Sequence, residues 1–258
     1  MENLEINQIY NTDTIQGMRR IVPESIDLIF CDLPYGITAR NKWDSEIPPQ
    51  KLWEQYERII KPNGAIVLFG SGMFAAKMIL SNPTLYRYSL VWQKTTPTGF
   101  LNAKKMPLRI HEDIMVFYKK PPTYNPQKTF GHKPVHSYTK HTSDGNNYNE
   151  TKRGITGGGS TERYPTSVLT FATDKQKSSI HNTQKPLELC RYIVRTYSNE
   201  GEVVLDNCCG SGTIPLAAKI EGRSYIGIDN GVCENPKSNY NMWYWADVSR
   251  DRIKLWTT

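Results

Sequence analysis

Long apolar runs are missing from this sequence of 258 residues. No stretch approaches the roughly 20 apolar residues that a membrane-spanning helix needs. The first residues, 1–5, are partly acidic and lack the apolar core of a signal peptide. We therefore expect no membrane partner.

Cysteine and histidine are also scarce. The five cysteines are odd in number and irregularly spaced, which argues against a disulfide framework, so we expect a reducing cytoplasm. His132, His136 and His141 look like a cluster of metal ligands, but no cysteine accompanies them. We interpret them as polar loop residues and expect no metal.

Positive charge is present in excess, and it is unevenly distributed. The net charge is +7. Residues 119–185 contain 11 Lys and Arg against 4 Asp and Glu, whereas the rest of the chain balances at 21 against 21. A basic lobe beside a neutral core indicates a polyanionic partner.

The length and the apolar patterning predict one α/β core with an accessory lobe. Apolar runs predict strands at 6–10, 26–31 and 65–69, and two more at 86–92 and 111–118. From residue 120 the chain is rich in Pro, Gly, Asn, Ser and Thr without a clear period, and regular structure returns near residue 186. We therefore expect an irregular basic lobe inserted between two halves of one domain.

The segment Cys31–Gly36 follows the most apolar of the early strands. Pro34 has no amide hydrogen and Gly36 permits unusual backbone angles, so strand pairing should stop there. Asp32 and Tyr35 then lie just past the carboxyl end of a strand, where open α/β sheets bind ligands. An ordinary turn between strand and loop is the alternative.

A second motif lies in the last third of the chain. A strand ending at Asp206, a turn containing Gly210 and Gly212, a helix, and a strand ending at Asp229 form a dinucleotide-type βαβ pattern. The spacing from Gly210 to Asp229 is close to the roughly 20 residues of the fingerprint, which suits an acidic residue that binds a ribose. Pro215 replaces the third glycine. A structural βαβ turn is again the alternative.

The carboxylate of Asp206 decides which ligand this turn would accept. A negative charge just before the glycines repels a pyrophosphate and attracts a cation. The turn therefore favours S-adenosylmethionine, with its amine and sulfonium, over a nicotinamide dinucleotide.

Taken together, these stretches resemble the β class of S-adenosylmethionine-dependent DNA amino-methyltransferases, which modify adenine N6 or cytosine N4. The match covers nearly the whole chain outside 120–180. The matching segments are Asp32-Leu33-Pro34-Tyr35, Val91-Trp92-Gln93-Lys94, His111-Glu112-Asp113-Ile114, Thr183-Gln184-Lys185-Pro186 and Leu205–Thr213.

The resemblance implies a Rossmann-like sheet of seven strands with helices on both faces and a circularly permuted motif order. Residues 1–119 would form the catalytic half, 120–182 the target-recognition region and 183–258 the cofactor-binding half. Three departures from the family pattern stand out: Leu33 replaces a proline, Cys209 replaces a usual phenylalanine, and residues 230–242 look like an insertion.

The predicted site residues form three groups. The catalytic group is Asp32, Leu33, Pro34 and Tyr35. The cofactor group is Asp13, Lys185, Asp206, Cys208, Gly210, Gly212, Thr213 and Asp229, although Asp13 is equally suited to cap the helix predicted at 14–20. The DNA-binding group is Lys128, Lys133, Lys140, Lys152, Arg153, Arg163, Lys175 and Lys177.

By this resemblance the protein would methylate N6 of an adenine flipped out of double-stranded DNA. Asp32 and the Leu33 carbonyl would accept the two hydrogens of the amine, and the Tyr35 ring would stack on the base. Cytosine N4 is the alternative target. An RNA or protein amine, and a DNA-binding module without activity, are less favoured. A homodimer and a cognate restriction endonuclease stay open as further partners.

Overall fold

The computed structural model of the protein describes residues 2–36, 46–139, 156–174, 184–232 and 244–256. The strands are β1 (Gln8–Tyr10), β2 (Ile26–Cys31), β3 (Ile60–Gly70), β4 (Tyr86–Thr98), β5 (Arg109–Phe117), β6 (Tyr138–Thr139), β7 (Thr156–Gly157), β8 (Val168–Phe171), β9 (Val203–Asp206) and β10 (Ser224–Ile228). The helices are α1 (Thr14–Arg19), α2 (Pro49–Ile59), α3 (Gly72–Ser81), α4 (Leu187–Tyr197), α5 (Thr213–Ile220) and α6 (Trp245–Leu255).

The main sheet has eight strands in the order β1-β10-β9-β2-β3-β5-β4-β8. Strands β1, β10, β9, β2 and β3 are parallel to one another, and β5 is antiparallel to β3 and β4. This confirms the α/β class and the doubly covered sheet. Since β2 pairs directly with β9, the two halves of the chain meet in the middle of the sheet.

Apolar side chains cover both faces of the sheet. On β2, Leu28 and Phe30 belong to a core that includes α4, α5 and α6, whereas Ile29 and Cys31 belong to a core that includes α1, α2 and α3. Side chains alternate between the two faces of a strand, so burial on both faces requires a continuous apolar run. This explains why the sequence of β2 shows no alternation of apolar and polar residues.

The expected count of seven strands is wrong, because β8 lies within the region predicted to be irregular. Its four residues pair in parallel with β4, from Val91 opposite Val168 to Lys94 opposite Phe171. The indole Nε1 of Trp92 donates a hydrogen bond of 3.0 Å to the Phe171 carbonyl. A strand this short gives too weak a pattern to be recognised among the Ser, Thr and Pro residues around it.

The chain divides into two compact units, one of residues 126–166 and one of all the rest. The smaller unit is narrower than the predicted 120–182. Within it β6 pairs with β7, and the backbone amides of Thr129 and Arg163 each donate to the other residue's carbonyl. The role of this region in target recognition stays a prediction. None of the described helices has both the length and the apolar character needed to cross a bilayer.

Leu169→Ala should destabilise the protein much more than Val168→Ala. The side chain of Leu169 is buried in the core, with 7% of its surface exposed, whereas Val168 is 46% exposed. Truncating a buried leucine costs about 2–5 kcal/mol of unfolding free energy. Urea unfolding of both variants measures the difference. Equal effects would contradict the place of β8 in the main sheet.

Candidate active site

A cleft of about 1330 Å³ opens at the carboxyl ends of the parallel strands. Asp32 follows β2, Asp206 ends β9 and Asp229 follows β10, and all three line this cleft. Parallel strands end at one edge of a sheet, so residues far apart in sequence meet there. The predicted catalytic and cofactor carboxylates are therefore brought into one cavity.

Both carboxylate oxygens of Asp32 are held by neighbouring side chains. The Lys185 ammonium donates to Oδ2 at 2.6 Å, and the Tyr35 hydroxyl donates to Oδ1 at 3.0 Å. The Tyr35 ring stacks on Phe74, with ring centroids 4.5 Å apart. Burial, and the charge of Asp32, raise the pKa of Tyr35 well above its usual value, so the hydroxyl stays protonated. Sequence reasoning missed this hydroxyl contact.

Lys185 also joins Asp32 to a second acidic residue. Its ammonium lies 3.3 Å from Glu112 Oε2, and the other oxygen of Glu112 lies 2.5 Å from the Lys94 ammonium. The four side chains alternate in sign and carry no net charge. The sequence grouped Lys185 with the cofactor residues and gave no role to Glu112 or Lys94, although both belong to the weaker family signatures.

This arrangement controls the ionisation of Asp32. Burial raises the pKa of Asp32, and the attraction of Lys185 partly opposes that rise. At Glu112 burial acts in the same direction, but Lys185 and Lys94 outweigh it and lower the pKa. The Lys185 ammonium therefore favours the ionised form of both partly buried carboxylates.

The glycine turn between β9 and α5 is shaped by two residues with positive φ angles, Gly210 at 48° and Gly212 at 76°. A Cβ on Gly212 would collide with Ser249 of α6, whereas a Cβ on Gly210 would meet open space. Asp229 holds the turn, since its two oxygens accept hydrogen bonds of 2.7 Å from the amides of Gly210 and Gly231.

Asp206 is only 2% exposed, and its pKa is strongly perturbed. Burial, together with the charges of Asp229 and Asp32, raises its pKa to about 8. Its Oδ1 accepts from the Cys208 amide at 3.2 Å, and no ion pair to it is found in the described part of the chain. A buried carboxylate of this kind fits a cationic ligand.

The remaining predicted cofactor residues line the same cleft; they are Asp13, Cys208 and Thr213. Asp13 caps α1, because its Oδ1 accepts from the amides of Ile15 and Gln16 at 3.0 Å each. Thr213 begins α5, and its hydroxyl accepts from Arg252 at 2.9 Å. The capping alternative for Asp13 is thus confirmed, and its contact with a cofactor stays a prediction.

A buried residue that sequence reasoning passed over anchors the turn after β9. Asn207 is 1% exposed, and its Oδ1 accepts a hydrogen bond of 2.7 Å from the Tyr56 hydroxyl of α2. Its amide group donates to the Thr14 hydroxyl at 3.1 Å. Its position between the motif residues Asp206 and Cys208 is the feature of the sequence that could have identified it.

Two of the predicted DNA-binding side chains have partners within the small unit. Lys128 lies 2.8 Å from Glu162 and 4.8 Å from the centre of the Tyr164 ring. Arg163 donates to the backbone carbonyls of Ser160 and Lys133. Five further members of the predicted group lie outside the described residues: Lys140, Lys152, Arg153, Lys175 and Lys177. Binding of DNA by this group stays a prediction.

Comparison with known proteins identifies the family. A family model described as DNA methylase, of the N6/N4 class, matches residues 26–232. The chain belongs to this DNA methylase family. S-adenosylmethionine is its cofactor, and solved structures with this fold include the S-adenosylmethionine complex of M1.HpyAVI. That methylase is 22% identical, with a TM-score of 0.58 over 95% of this chain and 98% of the other.

Other methylases in the comparison differ in their named targets. M.HinfI, a type II methyltransferase of Haemophilus influenzae, is 28% identical over 87% of this chain and 65% of its own length. The DNA adenine methyltransferase YhdJ of Escherichia coli is 26% identical over 87% of this chain and 79% of its own. The cytosine-N4-specific PvuII methyltransferase has a TM-score of 0.63 at 12% identity, over 98% and 94%. The chain thus spans about two thirds of M.HinfI.

The raised pKa of Asp206 predicts that this residue destabilises the folded methylase as pH rises. The folded form keeps the proton up to pH of about 8, whereas an unfolded aspartate loses it near pH 3.9. Stability is therefore lost between about pH 4 and pH 8. Asp206→Asn should raise stability over wild type, by a margin that widens by about 1.4 kcal/mol per pH unit in this window.

Urea unfolding at pH 5 and pH 7.5, without cofactor, measures that margin. Asp247→Asn is the matched control, because Asp247 pairs with Arg250 near the surface at 2.5 Å. The control should show no widening. A constant margin for Asp206→Asn would mean that the carboxylate is ionised throughout the window.

Proposed function

We propose that this methylase transfers the methyl group of S-adenosylmethionine to the exocyclic N6 of adenine in double-stranded DNA. One observation carries the proposal. Strands β2 and β9 are direct neighbours, with Ile29 opposite Leu205, so Asp32 and Asp206 open into the same cleft. One carboxylate can then hold the target amine while the other holds the methyl donor.

The cofactor half fits S-adenosylmethionine by charge and by space. The buried carboxylate of Asp206 would bind the ammonium group of the methionine moiety. Asp229 keeps lone pairs beyond its two amide contacts and would accept hydrogen bonds from the ribose hydroxyls. Open space beside Gly210 lets a ligand approach the backbone closely.

When bound, S-adenosylmethionine supplies a methyl group attached to a positively charged sulfur, and the sulfur becomes a neutral thioether when that methyl group is transferred. The chain supplies orientation. An exocyclic amine is a weak nucleophile because its lone pair is delocalised into the ring. Asp32 and the Leu33 carbonyl would accept its two hydrogens and direct the lone pair toward the methyl carbon. Positioning of this kind accounts for much of the rate in a direct transfer.

Asp32 is held ready for this task before substrate binds. Each of its oxygens accepts one hydrogen bond, from Lys185 or from Tyr35, and each has a further lone pair for the amine. The amine must lose one proton as its nitrogen bonds to carbon. Asp32 would accept that proton, since burial raises its pKa. Lys185 thus acts as a positioning residue.

Tyr35 would serve the base in two ways. Its ring lines the cleft and is supported by Phe74, so it can form a rigid platform on which the base stacks. Its hydroxyl also orients Asp32. Because the hydroxyl orients Asp32, Tyr35→Phe should lower the methyl-transfer rate to some extent. If only the ring mattered, this substitution would leave the rate nearly unchanged.

Adenine is favoured over cytosine as the target. The resemblance associates Asp at the first motif position mostly with adenine and Ser with cytosine, and Asp32 occupies that position here. The similarity to YhdJ supports the same choice. The fold similarity to the PvuII enzyme keeps cytosine N4 as the second candidate. Both bases present an amine, so Asp32 by itself accepts either.

Asp32→Asn should lower the methyl-transfer rate on the order of 10²–10³-fold, because a neutral amide accepts less strongly and cannot take the proton. Binding of S-adenosylmethionine, measured by calorimetry, should change little. Asp27→Asn is the matched control, since Asp27 lies at the other end of β2 and pairs with Lys61. Near-normal transfer by Asp32→Asn would refute the catalytic role.

The base is identified by expressing the methylase in a host that lacks DNA methylation and analysing its nucleosides by mass spectrometry. We expect N6-methyladenine, and it should be absent with Asp32→Asn. Detection of N4-methylcytosine instead would identify cytosine, the second candidate, as the target base. Sequencing of the same DNA maps the target site. Unmodified DNA, with cofactor binding intact, would contradict DNA as the substrate.

A further inference from the structure

The hairpin formed by β4 and β5 extends beyond the sheet at the edge where the cleft lies. Strand β3 ends at Gly70, which is paired with Asp113 of β5. The hairpin continues past that point, with Gln93 opposite His111 and Thr98 opposite Arg109. Strand β8 accompanies β4 as far as Lys94. Since a strand rises about 3.3 Å per residue, the free arm from Lys94 to Thr98 is roughly 13 Å long. The sequence had predicted that β4 ends at Trp92.

The tip of the arm exposes large apolar side chains. Phe100 is 65% exposed, Leu101 is fully exposed and Met106 is 56% exposed. The tip is nevertheless ordered by its own backbone, since the Asn102 amide donates to the Gly99 carbonyl at 2.9 Å and the Met106 amide donates to the Asn102 carbonyl at 3.0 Å. Apolar groups displayed on a structured tip mark an interaction site.

The charges around the tip are of one sign. Lys104, Lys105 and Arg109 lie within 99–111, a segment that contains no Asp or Glu. Arg109, His111 and Thr98, at the base of the tip, also line the cleft. A polyanion is therefore the partner that this surface fits, and a second positively charged copy of the same tip would be repelled.

We propose that this tip, residues 99–108, is a wedge that enters the DNA base stack beside the target nucleotide. The inference rests on the proposed function. Extruding a base leaves a gap in the duplex, and an exposed apolar side chain such as Leu101 or Phe100 fills such a gap. Lys104 and Lys105 would hold the flanking phosphates. The arm reaches the duplex from the same edge that holds Asp32.

The test compares wild type with the double variant Phe100→Ala, Leu101→Ala. The matched control is Leu80→Ala, because Leu80 is also highly exposed, at 76%, but lies on α3. Each protein methylates two oligonucleotide duplexes that carry the mapped site. One is fully paired, and in the other an abasic position faces the target base, so that extrusion costs less.

The double variant should lose roughly 5–150-fold in kcat/KM on the paired duplex, as expected when stacking of about 1–3 kcal/mol is removed. On the abasic duplex it should approach wild type, and Leu80→Ala should match wild type on both. Equal activity on the paired duplex, or an equal loss on the two duplexes, would overturn the wedge.

A fluorescent 2-aminopurine at the target position separates the wedge from the chemistry. Wild type should raise its emission and the double variant should raise it less; this duplex accepts no methyl group, because 2-aminopurine lacks the 6-amino group. Emission that rises with this probe, while wild type leaves the adenine-containing duplex unmethylated, would refute the proposed function and support the wedge. No rise with wild type would overturn the wedge. A change from dimer to monomer in the double variant, by light scattering, would assign the tip to a second copy and also overturn it.

Discussion

The pairing of β2 with β9 is the contact on which the candidate site depends. It joins Ile29 and Leu205, which come from opposite halves of the chain, in the buried centre of the sheet. Parallel strands must end at the same edge, so this one pairing brings Asp32 and Asp206 together whatever the order of the segments along the chain. Apolar side chains on both faces then bury this pairing in the core.

The two carboxylates Asp32 and Asp206 of the cleft are compensated in different ways. Asp32 is compensated from within the chain by Lys185, which is itself shared with Glu112. Asp206 has a backbone amide as its partner, and its pKa is raised to about 8. The first arrangement favours the ionised form of an acceptor for a neutral amine, and the second provides a site whose charge is completed by a cation. Under the proposed function, the two substrates are distinguished by this contrast.

Much of the site was predictable because its residues follow recognisable strands. The ends of β2, β9 and β10, the positive-φ glycines and the α/β class follow from apolar runs and glycine spacing, which are local properties. Short or irregular elements were not predictable in this way. Strand β8 and the extended arm of β4 are stabilised by partners distant in sequence, and their own residues have little pattern.

By itself, the sequence determined which side chains stand at the ends of the central strands, because the apolar runs that bury those strands also set where they stop. Tertiary structure decided what those side chains contact. Lys185 lies on Asp32 across 153 positions of sequence, and the Tyr35 hydroxyl turns toward the same carboxylate. Such contacts arise from the packing of separate segments in a desolvated cleft, where an unpaired charge is costly, and no local pattern records them.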